Sequence, residues 1–132
     1  MKSNHIYIIL LLGLALLWIT GCSGEDSSDA ASAAVQSYFQ ALVNKDVDRL
    51  SNGSCAAWEP QSQLDLESFG AVETTLENPA CQSQDKDGDY TIVTCTGEIR
   101  ANYGAEVLTI NLADRQYLAL YEGDQWRMCG YR

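Results

Sequence analysis

Apolar residues recur every three or four positions between residues 30 and 43, where Ala31, Val35, Tyr38 and Leu42 form a stripe widened by Ala34, Phe39 and Val43. This period predicts an amphipathic helix over 30–43, with Ser28 or Asp29 as its cap and Asn44-Lys45 as its end. Asp46 can cap a short second helix through Leu50, with Val47 and Leu50 inward, and Ser51-Asn52-Gly53-Ser54 reads as a turn. Glu59-Pro60 opens a third helix that runs to about Phe69, since proline suits a first helical turn, and Leu64 and Phe69 are its expected packed side.

Beyond Gly70 the period falls to two. Residues 71–76 alternate, Asn78-Pro79 interrupts them, and 81–84 continue toward a hairpin tip near Gly88; the proline marks an edge strand or a bulge. Residues 90–100 are rich in Thr, Ile and Val, turn at Asn102-Tyr103-Gly104 and return as 106–112. That turn sets Ile99 opposite Leu108, Gly97 opposite Ile110 and Cys95 opposite Leu112, all on one apolar face. Ala113-Asp114-Arg115 marks a bend or break, and residues 116–121 and 126–131 flank Glu122-Gly123-Asp124-Gln125 as a last hairpin. The expected architecture is α+β: three N-terminal helices, then a four-stranded antiparallel sheet whose third strand is either long and kinked or split in two.

One apolar stretch fits neither period. Ile6 to Ile19 is a continuous run after the positive Lys2, and it is shorter than the roughly 20 residues a membrane-spanning helix needs. It reads as the apolar core of a signal peptide. The Ile19-Thr20-Gly21-Cys22 that closes it resembles the lipobox of bacterial lipoproteins. The resemblance implies cleavage after Gly21, a diacylglycerol on the Cys22 thiol and an acyl chain such as palmitate on the new amino terminus. The implied location is a cell membrane, anchored by lipid on the extracytoplasmic face, and Ser23 in place of an aspartate allows an outer membrane in a Gram-negative host. The chain then divides into a signal peptide at 1–21, the lipid-bearing cysteine and a small, polar, acidic tether at 22–29, and one domain at 30–132.

The full chain carries a formal charge of -10. Cleavage would remove Lys2 and no acid, leaving seven basic residues against 18 acidic ones, a net -11. Such a surface repels phosphates, and the basic residues are scattered, so no nucleic-acid partner is expected. The single histidine, His5, lies in the segment to be cleaved. The mature chain is therefore without histidine-based triads or histidine metal sites. Carboxylates, tyrosines and lysines remain for acid-base work.

Cys55, Cys81, Cys95 and Cys129 remain after Cys22, an even number that in an exported chain reads as two disulfides with three possible pairings. A hairpin tip near Gly88 sets Cys81 and Cys95 face to face, which leaves Cys55 to join Cys129. No C-x-x-C pair occurs, so neither a zinc site nor a redox motif is expected. Asp85-Lys86-Asp87-Gly88-Asp89 resembles the start of an EF-hand calcium loop, but Tyr90 stands where its glycine would and Thr96 where its closing glutamate would. A solvated hairpin tip is the preferred reading, with no metal and no cofactor.

Tyr38-Phe39-Gln40-Ala41-Leu42 followed by Asp46-Val47-Asp48-Arg49-Leu50, and the closing Glu122-Gly123-Asp124-Gln125-Trp126-Arg127-Met128, resemble the opening and closing segments of nuclear-transport-factor-2-like (cystatin-like) domains. The resemblance implies a cone, with the helices packed on a curved sheet. Members of that family include isomerases and dehydratases, and many others bind ligands or pair with themselves. No catalytic position transfers. The preferred expectation is a non-enzymatic module that binds a small ligand or a protein, with a homodimer as one possible partner arrangement. Its interior would be lined by some of Tyr38, Trp58, Phe69, Tyr117, Tyr121 and Trp126, aromatics whose plainer role is ordinary core packing. The alternative is a small isomerase or lyase using Asp65 or Glu67 as base with Tyr38 or Tyr117 as electrophile. Acids are seldom buried unpaired, so both carboxylates are expected to face solvent.

Overall fold

The computed structural model describes residues 27–132. The apolar run, the lipobox, Cys22 and most of the assigned tether lie outside the described residues. Helix α1 spans Ser27–Asn44, so it begins inside the stretch assigned to the tether. Asp29 sits in its first turn, where a negative charge meets the positive end of the helix dipole. Ala31, Val35, Tyr38, Phe39, Ala41, Leu42 and Val43 are buried, as the period requires. Fully burying a large apolar side chain of this kind contributes about 1.5–3 kcal/mol. The helix stops because Lys45 turns left-handed, at φ 56°. Lys45 N then donates to the Leu42 carbonyl and Asp46 N to the Ala41 carbonyl, which closes the last turn.

Helix α2 (Val47–Asn52) follows at once, capped by Asp46, whose carboxylate accepts from Arg49 N at 3.1 Å. Leu50 is fully buried, whereas Val47, expected inward, is 53% exposed at the first helical position. Helix α3 (Glu59–Phe69) places Pro60 in its first turn. Its packed face is Ser62, Leu66 and Phe69 rather than Leu64 and Phe69, and Leu64 is exposed. Residues two positions apart on a helix lie about 200° around its axis, so a face containing Leu66 must turn Leu64 outward.

The sheet is antiparallel and has five strands, β1 (Glu73–Asp87), β2 (Tyr90–Asn102), β3 (Val107–Asn111), β4 (Gln116–Glu122) and β5 (Gln125–Tyr131). The expected third strand is split into β3 and β4 by a 3-10 turn, Leu112–Asp114, whose start is fixed by the Asn111 side chain accepting from Ala113 N. The order is β1-β2-β4-β5, with β3 beside the C-terminal half of β2. Asn102 pairs with Val107, so the connecting loop is longer than expected and the register slips by two: Ile99 faces Ile110 and Ala101 faces Leu108. A two-residue slip preserves the faces, because side chains alternate with period two. β1 is an edge strand with a bulge at Asn78-Pro79, and Gly97 opposite that bulge is at φ 98°.

Both cross-links are present, Cys55 to Cys129 with Cα atoms 5.2 Å apart and Cys81 to Cys95 with Cα atoms 4.1 Å apart. Cys55 N donates to the Met128 carbonyl and Met128 N to the Gly53 carbonyl, so residues 53–55 cover the outer edge of β5. The helices pack on the concave face over Val93, Cys95, Ile99, Ala101, Tyr117, Ala119 and Met128, giving a cone.

Candidate functional site

The cone is not filled to its open end. A cavity of about 210 Å³ lies between α1, α3 and the sheet. Its apolar floor is Phe39, Leu42, Phe69, Ile99, Leu112 and Met128; Tyr38, Asp65, Tyr117 and Tyr131 add polar groups, and Ser68, Ile110 and Arg115 stand around them. Ser68 and Arg115 are exposed, which places them at the rim.

Three of the six aromatics expected in the cone, Tyr38, Phe69 and Tyr117, line this cavity. Trp58 lies behind it and donates its indole N–H to the Tyr38 hydroxyl at 3.3 Å. Tyr121 and Trp126 do not belong to it. They pack edge to face at 5.6 Å and line a separate open groove beside Ser27, Ala30 and Ala34 of α1. Tyr121 shares the face of Tyr117, but four residues of strand carry it about 13 Å farther along the sheet. The same alternation that put both on one face therefore put them at opposite ends of it.

Asp65 is half-buried and lines the cavity, whereas Glu67 on the same helix is exposed. Asp65 is three residues from Ser62 and four from Phe69, both buried, so the packed face of α3 carries it inward. Gln61 Nε2 donates to its Oδ1 at 3.0 Å. The Tyr38 hydroxyl, accepting from Trp58, directs its own proton at Asp65 Oδ2 over a long 3.5 Å. Apo contacts of this length can tighten when a ligand is bound. Burial pushes the Tyr38 hydroxyl well above the ordinary tyrosine range; the Trp58 hydrogen bond works against that, and the charge of Asp65 adds to it. Tyr38 is thus a neutral donor throughout the physiological range.

Tyr117 is pushed up to about 12 by burial, with Arg115 opposing and Asp114 adding to the shift. Its hydroxyl donates to the Leu112 carbonyl at 2.9 Å and its ring meets Phe39 edge to face at 4.9 Å. It is a wall and a fastener rather than an acid aimed at a ligand.

Sequence reasoning missed Tyr131 and Arg115. Tyr117 pairs with Tyr131 and Ala119 with Met128, so β5 carries one extra residue there. Such a bulge turns Tyr131 onto the Met128 face, against simple alternation. Gly130, at φ 138°, marks the irregularity, and a glycine before the last aromatic was the one available signal. Arg115 stood in the segment read as a bend, and breaks between strands are where binding groups concentrate. Its guanidinium lies 4.1 Å above the centre of the Tyr131 ring. The hairpin-tip acids are elsewhere: Asp87 pairs with Arg132 at 2.8 Å, and the described residues contain no group of three or more potential metal ligands.

No family model matches the sequence, and no curated protein matches it. Solved structures do resemble the fold. A putative dehydratase of the NTF2-like family from Streptomyces avermitilis superposes with a TM-score of 0.54 at 14% identity, over 80% of this chain and 92% of that one. A SEC-C motif containing protein from Rhodopseudomonas palustris superposes with a TM-score of 0.51 at 14% identity, over 78% and 79%. At these identities the likeness is one of fold, and the domain has the nuclear-transport-factor-2-like α+β cone.

Proposed function

We propose that this chain is a lipid-anchored extracytoplasmic protein whose cone binds a small ligand without transforming it. The observation that carries the binding reading is the cavity itself: an apolar floor with a few convergent polar groups is the usual form of a small-molecule site. At 210 Å³ it exceeds the roughly 150 Å³ apolar cavity that accepts benzene. It falls below the roughly 300 Å³ at which common ligand pockets begin, so the ligand is a single ring or a short branched chain. The anchor rests on the apolar run and Ile19-Thr20-Gly21-Cys22.

Native mass spectrometry of the protein extracted from its own membrane in a mild detergent tests both parts. The expected spectrum lacks residues 1–21, carries added lipid mass and loses a further discrete mass only on denaturation. A chain that retains residues 1–21 without lipid refutes the anchor. One that releases nothing, and also fails to take up small ring compounds when they are added, refutes the ligand site.

A second reading, proton transfer, is favoured by the contact between Asp65 and Tyr38. A carboxylate that can accept a proton beside a phenol that stays neutral is an arrangement suited to enolising a bound carbonyl compound. Binding remains the preferred reading, because Asp65 is the sole carboxylate among the described residues that line the cavity and the Tyr117 hydroxyl is committed to Leu112. Deuterium uptake from heavy water into a bound carbonyl compound, abolished by Asp65→Asn, would establish the catalytic reading instead.

A further inference from the structure

We propose that the cavity selects small monocarboxylic acids, with Arg115 receiving the carboxylate at the rim, the apolar body on the floor, and a hydroxyl or ammonium of the ligand donating to Asp65. This deepens the ligand-binding reading above and rests on it.

The argument begins from what the other arginines do. Arg49 donates to Ser37, Arg100 pairs with Glu77 and Glu98, Arg127 donates to the carbonyls of Glu122, Asn52 and Ser54, and Arg132 pairs with Asp87 and donates to Gln116. Arg115 alone among the described arginines forms no ion pair and donates no hydrogen bond to a described residue. In a chain with 18 acids this is not for want of carboxylates.

Its position is nevertheless fixed. The guanidinium rests on the Tyr131 ring, which meets the Trp58 ring edge to face at 5.2 Å. Trp58 donates to Tyr38, and Tyr38 reaches Asp65, so one chain of contacts joins the cation to the anion through the cavity wall. A cation over a ring is held there without using a hydrogen-bond acceptor, so the guanidinium keeps its planar fork of donors, which matches a carboxylate. Asp65 at the other end has both oxygens occupied only by donors and would repel a second anion placed beside it. A ligand that is anionic at one end and a hydrogen-bond donor at the other satisfies both groups, whereas a purely apolar or dianionic ligand satisfies one or neither.

The test is calorimetric titration of the full chain in a mild detergent, against detergent blanks, with 4-hydroxyphenylacetate, 3-(4-hydroxyphenyl)propionate and the primary amide of each. The expected result is binding of at least one acid about tenfold tighter than its own amide, since a hydrogen bond to a charged group outweighs a neutral one. Arg115→Gln should erase that preference, bringing the affinities of acid and amide together, and Arg115→Lys should retain part of it. The variants' melting temperatures confirm that they are folded, as expected for an exposed side chain. Amides binding as well as acids, or a preference that survives Arg115→Gln, overturns the role of Arg115 and leaves the cavity as a ligand site. Binding of neither acids nor amides overturns the ligand site and this inference with it.

Discussion

The two halves of β2 carry differently built sheets. Along 90–94 it pairs with β4, which pairs with β5, and the edge of β5 is covered by residues 53–55 and tied by the bridge from Cys55 to Cys129. Along 98–102 it pairs with β3, five residues long, where Val107 is 52% and Leu108 45% exposed and no cross-link is present. The cavity lies where the halves meet, with Tyr117 and Met128 from the first and Ile110 from the second. The fastened half contributes Met128 to the floor and Tyr117 to the wall, and the light half contributes Ile99 and Ile110.

The largest effect should come from unfastening the first half. Replacing Cys55 and Cys129 together by alanine releases a loop of 74 residues, and chain entropy puts the loss at about 4 kcal/mol. Cys81 and Cys95 close only 14, for about 3 kcal/mol. Denaturant midpoints of the two double variants test the order. A smaller loss for the long bridge would mean that the covered edge of β5 keeps the half together without it.

Gly97 sits at the junction between the halves. A Cβ there would stand 2.6 Å from the carbonyl oxygens of both Glu77 and Asn78, at a φ of 98° that side chains rarely adopt. Gly97→Ala should cost about 3 kcal/mol. A loss under about 1 kcal/mol would show that the β1 bulge shifts freely and that the halves are not locked at this point.

That junction also marks where sequence reasoning stopped. The periods of α1 and β2 located the core, and hairpin symmetry about Gly88 paired the cysteines, because each depends on residues close in the chain. The slip in the β2–β3 register came from loop length, which composition does not state. Leu64 was misplaced because two leucines two residues apart on α3 compete for one face, and packing against α1 and the sheet decides between them. The site was less legible still. Tyr131 reaches the cavity only through a bulge, Arg115 through a strand break, and Asp65 through the choice of Leu66 over Leu64. Each of these is a consequence of irregular backbone or tertiary packing, and alternation rules carry neither.

A more modest effect is expected at the fastener between β3 and β4. Tyr117→Phe removes the hydrogen bond to the Leu112 carbonyl, for about 1 kcal/mol. The same residue sets an alkaline limit. Its hydroxyl has a pKa of about 12 folded against 10.0 unfolded, so below pH 10 both states keep the proton and stability is complete. Above pH 10 the unfolded chain loses that proton first, and the stability contributed is lost progressively up to about pH 12. Unfolding followed between pH 8 and 12 should show this decline, and Tyr117→Phe should flatten it; an unchanged profile would assign the limit to Tyr38.

The smallest effect belongs to the light half. Leu108 opposes Ala101, yet it is nearly half exposed. Leu108→Lys should change stability by no more than about 0.5 kcal/mol, as surface substitutions do. It nevertheless adds a cation on the strand that carries Ile110, which lines the cavity. If β3 is a separate, lightly held element, ligand affinity should respond to this substitution while the melting temperature does not. A stability loss comparable to that of Tyr117→Phe would instead mean that β3 supports the core as β4 does, and the division between a fastened and a light half would fall.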